Sequence, residues 1–208
     1  MKRIVALTVM CVLVLSMSVS AAARMNLTGA YLLSLEDGSK LRGFSITARG
    51  EVYKNILLDG AFLSVSDKEA DLSERLLTAG VLYRVVTEPD LQVFAGLGYA
   101  HFTSSAEPQE MGVAEAGEAA PAERGSGIFG KVGFDFTVAP KVNLQAALAY
   151  APKLKLGEED SALTTARAMV GYQLFESVRI QAQVEYYRLG SENAVSRSLV
   201  GGGIAVSF

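Results

Sequence analysis

The feature that most constrains this chain is a two-residue alternation of apolar and polar side chains. It is clearest in the segment "SVRIQAQVEYYRLG", where every second residue from Val178 to Tyr186 is apolar. The residues between them are all polar: Arg179, Gln181, Gln183 and Glu185. Successive side chains of a β-strand point to opposite faces of the sheet. The segment therefore predicts a strand with one apolar and one polar face.

The same alternation predicts an all-β fold of ten strands. Clear examples are "TTARAMVGYQLF", "GKVGFDFTV" and "VNLQAALAY", and the last strand is "LVGGGIAVSF". Two strands, "LQVFAGLGYAHF" and "LLTAGVLYRVV", alternate less cleanly because Phe94 and Leu82 join the polar face. The remaining three are "ILLDGAFLSV", "LRGFSITAR" and "MNLTGAYLLSL". Eight strands remain an alternative if residues 41–65 form one long bent strand.

The first 23 residues read as a secretory signal peptide. A basic start at Lys2 and Arg3 is followed by a short apolar stretch and by three alanines that end at Ala23. Residues 24–208 are then one exported domain, and this domain contains no apolar run of the roughly 18 residues that a membrane helix needs. Cys11, the only cysteine, lies in the leader, so the mature chain has no thiol. A net charge of -3 argues against a nucleic-acid partner.

The connections between the predicted strands alternate between short and long. Tight links are expected at residues 88–90, 139–141 and 175–177, whereas the links between them are longer and polar. The longest, residues 104–127, predicts a solvated loop. Short turns at one end and long loops at the other are typical of up-and-down barrels in outer membranes. A capping-box pattern at Ser66 and Glu69 indicates a short helix before a strand that begins near Leu76.

The last residues carry a resemblance to a known family. Val200, Gly202, Ile204, Val206 and Phe208 resemble the carboxyl-terminal strand signature of Gram-negative outer-membrane barrels. Residues 24–208 as a whole resemble the small OmpA-like and OmpX-like barrels. The resemblance implies a closed antiparallel up-and-down transmembrane β-barrel in the outer membrane, surrounded by its lipid, with both termini periplasmic. It also implies that the barrel-assembly machinery recognises Val200, Ile204, Val206 and Phe208.

The polar faces of the predicted strands would line the inside of such a barrel. Their charged residues are Asp59, Arg84, Lys131, Asp135, Arg167, Arg179, Glu185 and Arg197. A three-residue turn at 175–177 would place Glu185 directly across from Arg167. With Arg197 on the neighbouring last strand, Glu185 is then the expected centre of a charge network.

Two functions are consistent with this interior. Side chains nearly fill a narrow barrel, whereas open channels appear at about 16 to 18 strands, so the paired charges favour a plugged lumen. The expected role is then structural or surface-interaction, with loop 104–127 available to an extracellular ligand. The alternative is a narrow porin-like channel for ions or small solutes.

A third class, a lipid-acting enzyme, is disfavoured. Some outer-membrane lipid hydrolases use a His-x-Ser arrangement, but the residue two positions after His101 is Thr103. The alternation also places His101, the only histidine, on the lipid side. No cysteine or histidine pair suggests a metal site, and no phosphate-binding loop suggests a cofactor. We therefore expect no enzymatic activity, cofactor or metal.

Overall fold

The fold is a single sheet of ten antiparallel strands. The computed structural model describes residues 25–36, 39–67, 72–106, 123–156, 159–190 and 195–208. Their strands are β1 (Met25–Ser34), β2 (Arg42–Tyr53), β3 (Ile56–Asp67), β4 (Leu72–Thr87), β5 (Leu91–Ala106), β6 (Glu123–Ala139), β7 (Val142–Leu156), β8 (Glu159–Gln173), β9 (Val178–Leu189) and β10 (Val195–Ser207). The prediction of ten strands is confirmed. The predicted signal peptide lies outside the described residues.

Each strand pairs with its neighbours in the chain, and β1 pairs with β10 to close the barrel. At this seam the Phe208 N–H donates to the Met25 carbonyl at 2.9 Å, and the Met25 N–H donates to the Phe208 carbonyl at 3.2 Å. A closed sheet has no unpaired edge strand. The up-and-down barrel expected from the sequence is therefore confirmed. In the described part of the chain, no helix has the length and apolar character needed to cross a membrane.

The two ends of the barrel differ in their connections. Four short turns, at residues 54–55, 88–90, 140–141 and 174–177, lie at the same end as both strand termini Met25 and Ser207. We call this the turn end and the opposite end the loop end. The turns at 54–55 and 140–141 each place one residue in the left-handed region, Asn55 at φ 64° and Lys141 at φ 72°. The turn at 54–55 separates β2 from β3, so the eight-strand alternative is wrong.

Two predicted boundaries are corrected at the loop end. The predicted loop 104–127 begins and ends in strand, because Ser104 pairs with Glu123 and residues 123–127 belong to β6; residues 107–122 lie outside the described part. Strand β4 begins at Leu72 rather than near Leu76, and Ser66 pairs with Ser73 instead of capping a helix. In both places the hydrogen bonds between neighbouring strands continue beyond the predicted boundary. This pairing satisfies backbone N–H and C=O groups, an effect that the local sequence pattern does not reveal.

The outward face of the barrel is an exposed apolar band. Its large members include Leu33, Val81, Leu97, Ile128, Val132, Leu148, Val170 and Ile204. Tyr99, Tyr150 and Tyr186 are each the ninth residue of their strand counted from the turn end (91 to 99, 142 to 150 and 178 to 186). Exposed aromatic residues also mark the turn end: Tyr53, Tyr83, Phe136, Tyr172 and Phe208. The spacing between the two aromatic sets matches the 9–11 residues that a membrane-crossing strand needs.

Inside the barrel, one close contact depends on the absence of a side chain. The ring of Phe94, only 2% exposed, packs against Gly133 on the neighbouring strand β6. A Cβ atom at Gly133 would lie 2.5 Å from Phe94 Cε2 and 2.6 Å from the Ala146 carbonyl oxygen. Gly133 therefore provides the space that the Phe94 ring occupies.

We expect Gly133→Ala to lower the free energy of unfolding by about 1–3 kcal/mol, because an added methyl group overpacks this contact. The matched control is Gly29→Ala, since a Cβ atom there has no neighbour within 4 Å. Denaturant unfolding in phosphatidylcholine vesicles, followed by circular dichroism, measures both variants. An equal loss of stability in the two would show that the Phe94 contact is not the constraint.

Candidate functional site

The candidate functional site is the interior of the barrel, which is divided along its axis into two chemically different halves. The loop-end half is apolar. Its buried residues are Leu32, Leu41, Leu63, Val65, Leu76, Ala100, Phe102, Phe129, Ala151, Leu154, Leu163, Tyr187, Leu189 and Leu199. All of them point inward, and Phe102 and Phe129 are 2% and 3% exposed. Apolar side chains thus fill the loop-end half of the lumen.

The turn-end half holds an ionic cluster centred on Asp59. The Asp59 carboxylate accepts from Arg49 Nε at 3.0 Å and also from Lys131 Nζ. Arg49 Nη1 in turn lies 3.2 Å from Asp135 Oδ2, and the guanidinium carbon is 4.1 Å from the centroid of the Phe94 ring. Two cations and two carboxylates from β2, β3 and β6 therefore neutralise one another inside the barrel.

Further charges line a cavity that opens towards the turns. Arg84 Nη1 lies 3.2 Å from Glu51 Oε2. Arg179 has no carboxylate oxygen within 4.0 Å among the described residues, and it lines a cavity of about 610 Å³ together with Arg84 and Asp135. A smaller cavity of about 110 Å³ lies farther in, where Leu76, Phe129 and Tyr187 belong to both its wall and the apolar cluster. The water-accessible space narrows from the turn end towards the apolar half.

Strand β9 contributes a ladder of hydrogen bonds at the middle of the barrel. Gln181 Nε2 donates to Gln183 Oε1 at 2.9 Å, and Gln183 Nε2 donates to Glu185 Oε1 at 2.7 Å and to Ser45 Oγ at 2.8 Å. Arg167 is paired with Glu185 in the strand register, and its Nη2 lies 3.1 Å from Glu185 Oε1. All three β9 side chains are buried, so the ladder satisfies polar groups that would otherwise be costly to bury.

A second carboxylate, Glu74, is buried within the apolar half. The Tyr187 hydroxyl donates to Glu74 Oε2, and Arg197 donates to both carboxylate oxygens, with Nη2 3.1 Å from Oε1 and Nε 3.4 Å from Oε2. Arg197 Nη1 also lies 3.6 Å from Glu36 Oε2 in the first loop. These contacts compensate the charge of a carboxylate that is only 3% exposed.

The prediction that Arg197 joins a charge network centred on Glu185 is therefore wrong, because Arg197 pairs with Glu74 instead. Glu185 already forms an ion pair with Arg167 and accepts a hydrogen bond from Gln183, whereas Arg197 lies opposite Tyr187, nearer the loop end. There it contacts Glu74 across the lumen. The other predicted charges, Asp59, Arg84, Lys131, Asp135 and Arg179, all lie on the inward face in the turn-end half.

Sequence reasoning missed several members of the interior network. Arg49 and Glu51 follow the inward alternation of β2 and could have been found from it. Glu74 was hidden because its segment carried a helix-capping pattern. Tyr187 continues the inward alternation of Gln181, Gln183 and Glu185, but the alternation does not identify its partner Glu74. Alternation therefore could have placed Arg49, Glu51 and Tyr187 inward, whereas the capping pattern concealed Glu74.

The remaining chemical candidates lie outside the lumen. His101 is exposed on the outward face, and its Nε2 atom is 3.4 Å from Thr103 Oγ1. Among the described residues no group of three or more histidine, cysteine or acidic side chains is placed to hold a metal ion. The predicted assembly residues Ile204 and Phe208 are exposed on the outward side of β10, which forms the closing seam with β1. Val200 and Val206 lie on the same outward side of this strand as Ile204.

Proteins of known structure share this barrel fold. No family model and no curated protein sequence matches the chain. Among solved structures, the β domain of the Bordetella autotransporter BrkA matches with a TM-score of 0.51 at 10% identity, covering 89% of this chain and 98% of that one. The chain has the fold of an outer-membrane β-barrel. The outer membrane protease OmpT from Escherichia coli (TM-score 0.46, 10% identity, 89% and 96% covered) and the Neisserial surface protein NspA (0.44, 13%, 89% and 97%) also match. At sequence identities of 10–13%, this similarity concerns the fold alone.

We expect Asp59→Asn to lower the free energy of unfolding by about 3 kcal/mol, because it leaves Arg49 and Lys131 without their shared carboxylate in a buried site. Asp160→Asn is the control, since Asp160 is 51% exposed and its pair with Lys153, at 3.9 Å, is screened by water. Its expected cost is below about 1 kcal/mol. Equal costs in denaturant unfolding would contradict the role assigned to the Asp59 cluster.

Proposed function

We propose that this protein is an outer-membrane barrel with a structural or surface-interaction role and a closed lumen. The observation that carries the proposal is the apolar filling of the loop-end half of the interior by residues such as Phe102, Phe129 and Leu154. The polar, charge-paired interior at the turn end supports it, because those charges neutralise one another locally. Catalysis is no part of this proposal.

Insertion in a membrane is supported by the outward face. Large apolar residues such as Leu97, Ile128 and Ile204 are more than half exposed, and only a bilayer or another protein would cover such a continuous band. The band lies between two sets of aromatic side chains, as expected at the two interfaces of a bilayer. The turn end, which carries both termini, is then the periplasmic end.

A closed lumen follows from the cost of moving an ion through its apolar half. An ion that enters from the turn end meets water and paired charges, but beyond Glu185 it would contact the rings of Phe129 and Phe102. Removing an ion's hydration shell without replacement ligands is strongly unfavourable, and apolar constrictions of this kind exclude water. The Glu74 cluster offers no free carboxylate there, because Tyr187 and Arg197 already occupy it.

A narrow channel is the second candidate, and one observation favours it. The cavity of about 610 Å³ at the turn end is lined by Arg49, Arg84, Asp135 and Arg179, so it would admit water and small ions. Transport through the barrel would require the apolar half to open. The two candidates therefore differ in the state of Phe102 and Phe129.

Recording from the refolded chain in planar bilayers separates the two candidates. We expect no stable conductance steps from the wild type and new openings from Phe102→Ala/Phe129→Ala, which removes two rings from the closed half. The control is Phe44→Ala/Phe62→Ala, because these two rings contact each other on the outward face at a centroid distance of 5.7 Å. Stable wild-type openings that change in size or ion preference in Glu185→Ala would favour the channel instead.

The proposed orientation is testable because the chain after the leader contains no cysteine. A single cysteine at Ala116, in the segment that joins β5 to β6, should react on intact cells with a membrane-impermeant maleimide. A cysteine at Lys54, in the turn that joins β2 to β3, should react only after the outer membrane is permeabilised. Labelling of Lys54→Cys alone on intact cells would reverse the proposed orientation.

Two partners complete the proposal. The barrel-assembly machinery would engage the last strand through its outward residues, including Ile204 and Phe208, because β10 is the strand that closes the barrel against β1. An extracellular ligand would meet the segment between β5 and β6, which begins after Ala106. Replacing residues 108–120 by a short glycine-serine turn should leave the barrel folded, so any binding that this variant loses can be assigned to the segment.

A further inference from the structure

Beyond the tyrosines nearest the loop end, the outward face of the barrel changes from apolar to basic. Six exposed cationic side chains lie there. One is Arg42 on β2, and we call the other five the basic belt: Arg75, Arg124, Lys153, Lys155 and Arg188. All five are exposed, and they belong to four strands, β4, β6, β7 and β9. The outward positions closer to the turn end are predominantly apolar, so the charges are confined to one level of the barrel.

The strand register brings members of the belt together. Arg75 lies opposite Thr103, which lies opposite Arg124, so the two arginines are separated by one strand at the same level. With strands about 4.8 Å apart, their Cβ atoms are about 10 Å apart, and the long side chains can approach one anionic group. Lys155 lies opposite Ser126, two residues from Arg124 on β6. Arg75, Arg124 and Lys155 thus form a continuous basic row over β4 to β7.

The level of the belt coincides with the expected headgroup layer. Arg124 and Arg75 lie four residues beyond the level of Tyr99 in the register, and Arg188 lies two residues beyond Tyr186. At a rise of about 3.3 Å per residue and a tilt of about 40°, these offsets correspond to about 5–10 Å beyond the tyrosine level. The polar interfacial region of a bilayer extends over a similar distance from the hydrocarbon edge.

The charges of the belt are largely uncompensated by the protein. Lys153 lies 3.9 Å from Asp160, and both side chains are well exposed. Arg75, Arg124, Lys155 and Arg188 have no ion pair within the residues that the structure describes. On the described strands, Asp160 is also the single carboxylate on the outward face at this level. An isolated row of cations at a membrane surface attracts anions.

An apolar groove lies on the outward face below the β7–β9 part of the belt. Small residues at its floor, Ala146, Ala166 and Ala168, lie between the larger Phe134 and Val184, and the groove has a volume of about 370 Å³. Its upper boundary includes Tyr186, next to the level of Arg188. A lipid whose headgroup contacts the belt could therefore place a hydrocarbon chain against the barrel in this groove.

We propose that the basic belt binds the phosphate groups of an anionic membrane lipid in the leaflet at the loop end. The inference rests on the proposed membrane insertion. Arg75, Arg124 and Lys155 provide the charge, and arginine in particular presents a planar fork that fits phosphate oxygens. The groove between Phe134 and Val184 accommodates part of the acyl region.

The test compares the lipids in contact with the refolded full mature chain. The chain is reconstituted in phosphatidylcholine bilayers that contain spin-labelled phosphatidic acid or, in parallel, spin-labelled phosphatidylcholine. Electron paramagnetic resonance then gives the relative association of each probe with the barrel. We expect a preference for phosphatidic acid of at least about threefold, which added salt reduces and which Arg75→Gln/Arg124→Gln/Lys155→Gln abolishes.

Two control variants locate the effect. Arg75→Lys/Arg124→Lys keeps the charges and should keep most of the preference. Lys54→Gln/Lys141→Gln removes exposed cations from the turn end and should leave the preference at the wild-type level. An unchanged preference in the triple glutamine variant, or an equal loss in the turn-end variant, would overturn the lipid assignment. Absence of any motionally restricted lipid around the wild type would instead contradict membrane insertion itself.

Discussion

The pairing of β1 with β10 is the constraint on which the rest of the structure depends. A sheet whose outward face is apolar can enter lipid only if no backbone N–H or C=O group is left unpaired, because each such group would cost several kcal/mol there. Antiparallel pairing at Leu27↔Val206 and Tyr31↔Gly202 removes the last two edges. Once the barrel is closed, alternation decides the environment of every side chain: one face meets the exterior and the other is confined to a narrow lumen. The chemistry of that lumen is therefore a consequence of closure.

The lumen satisfies its confined side chains in two different ways. In the loop-end half, apolar side chains exclude water by packing against one another, and the single Glu74 charge is compensated by Arg197 and the Tyr187 hydroxyl. In the turn-end half, cations and carboxylates neutralise one another beside a cavity of about 610 Å³, with Asp59 and Arg49 at the centre of the cluster. A buried ion pair is weak evidence for stability, but removing one of its partners is strongly destabilising, because it leaves an unpaired buried charge. The boundary between the halves lies near Glu185.

The strands and their inward and outward faces could be predicted from the sequence, but most side-chain contacts inside the lumen could not. Alternation alone predicts ten strands and places Asp59, Lys131 and Arg179 on the inward face. The turn predicted at 175–177 gives the pairing of Arg167 with Glu185 on adjacent strands, which the structure has. Contacts across the lumen could not be predicted in this way. Tyr187 on β9 meets Glu74 on β4, which is five strands away around the barrel, and Arg49 on β2 meets Asp135 on β6. Such contacts depend on strand tilt and on the diameter of the closed barrel, which no local pattern encodes.

These cross-lumen contacts also limit how the barrel could open. The hydrogen-bond ladder is continuous around the ring, so the wall cannot expand without breaking backbone pairs, and any path must come from side chains or loops. In the apolar half, moving Tyr187 alone would leave Glu74 bound to Arg197, and Arg197 would still be held near Glu36 in the first loop. Displacement of the first loop would act on Arg197 directly, and through it on the Glu74 carboxylate. The Glu36–Arg197–Glu74 chain therefore links the first loop, at the loop end, to a carboxylate that is buried in the lumen.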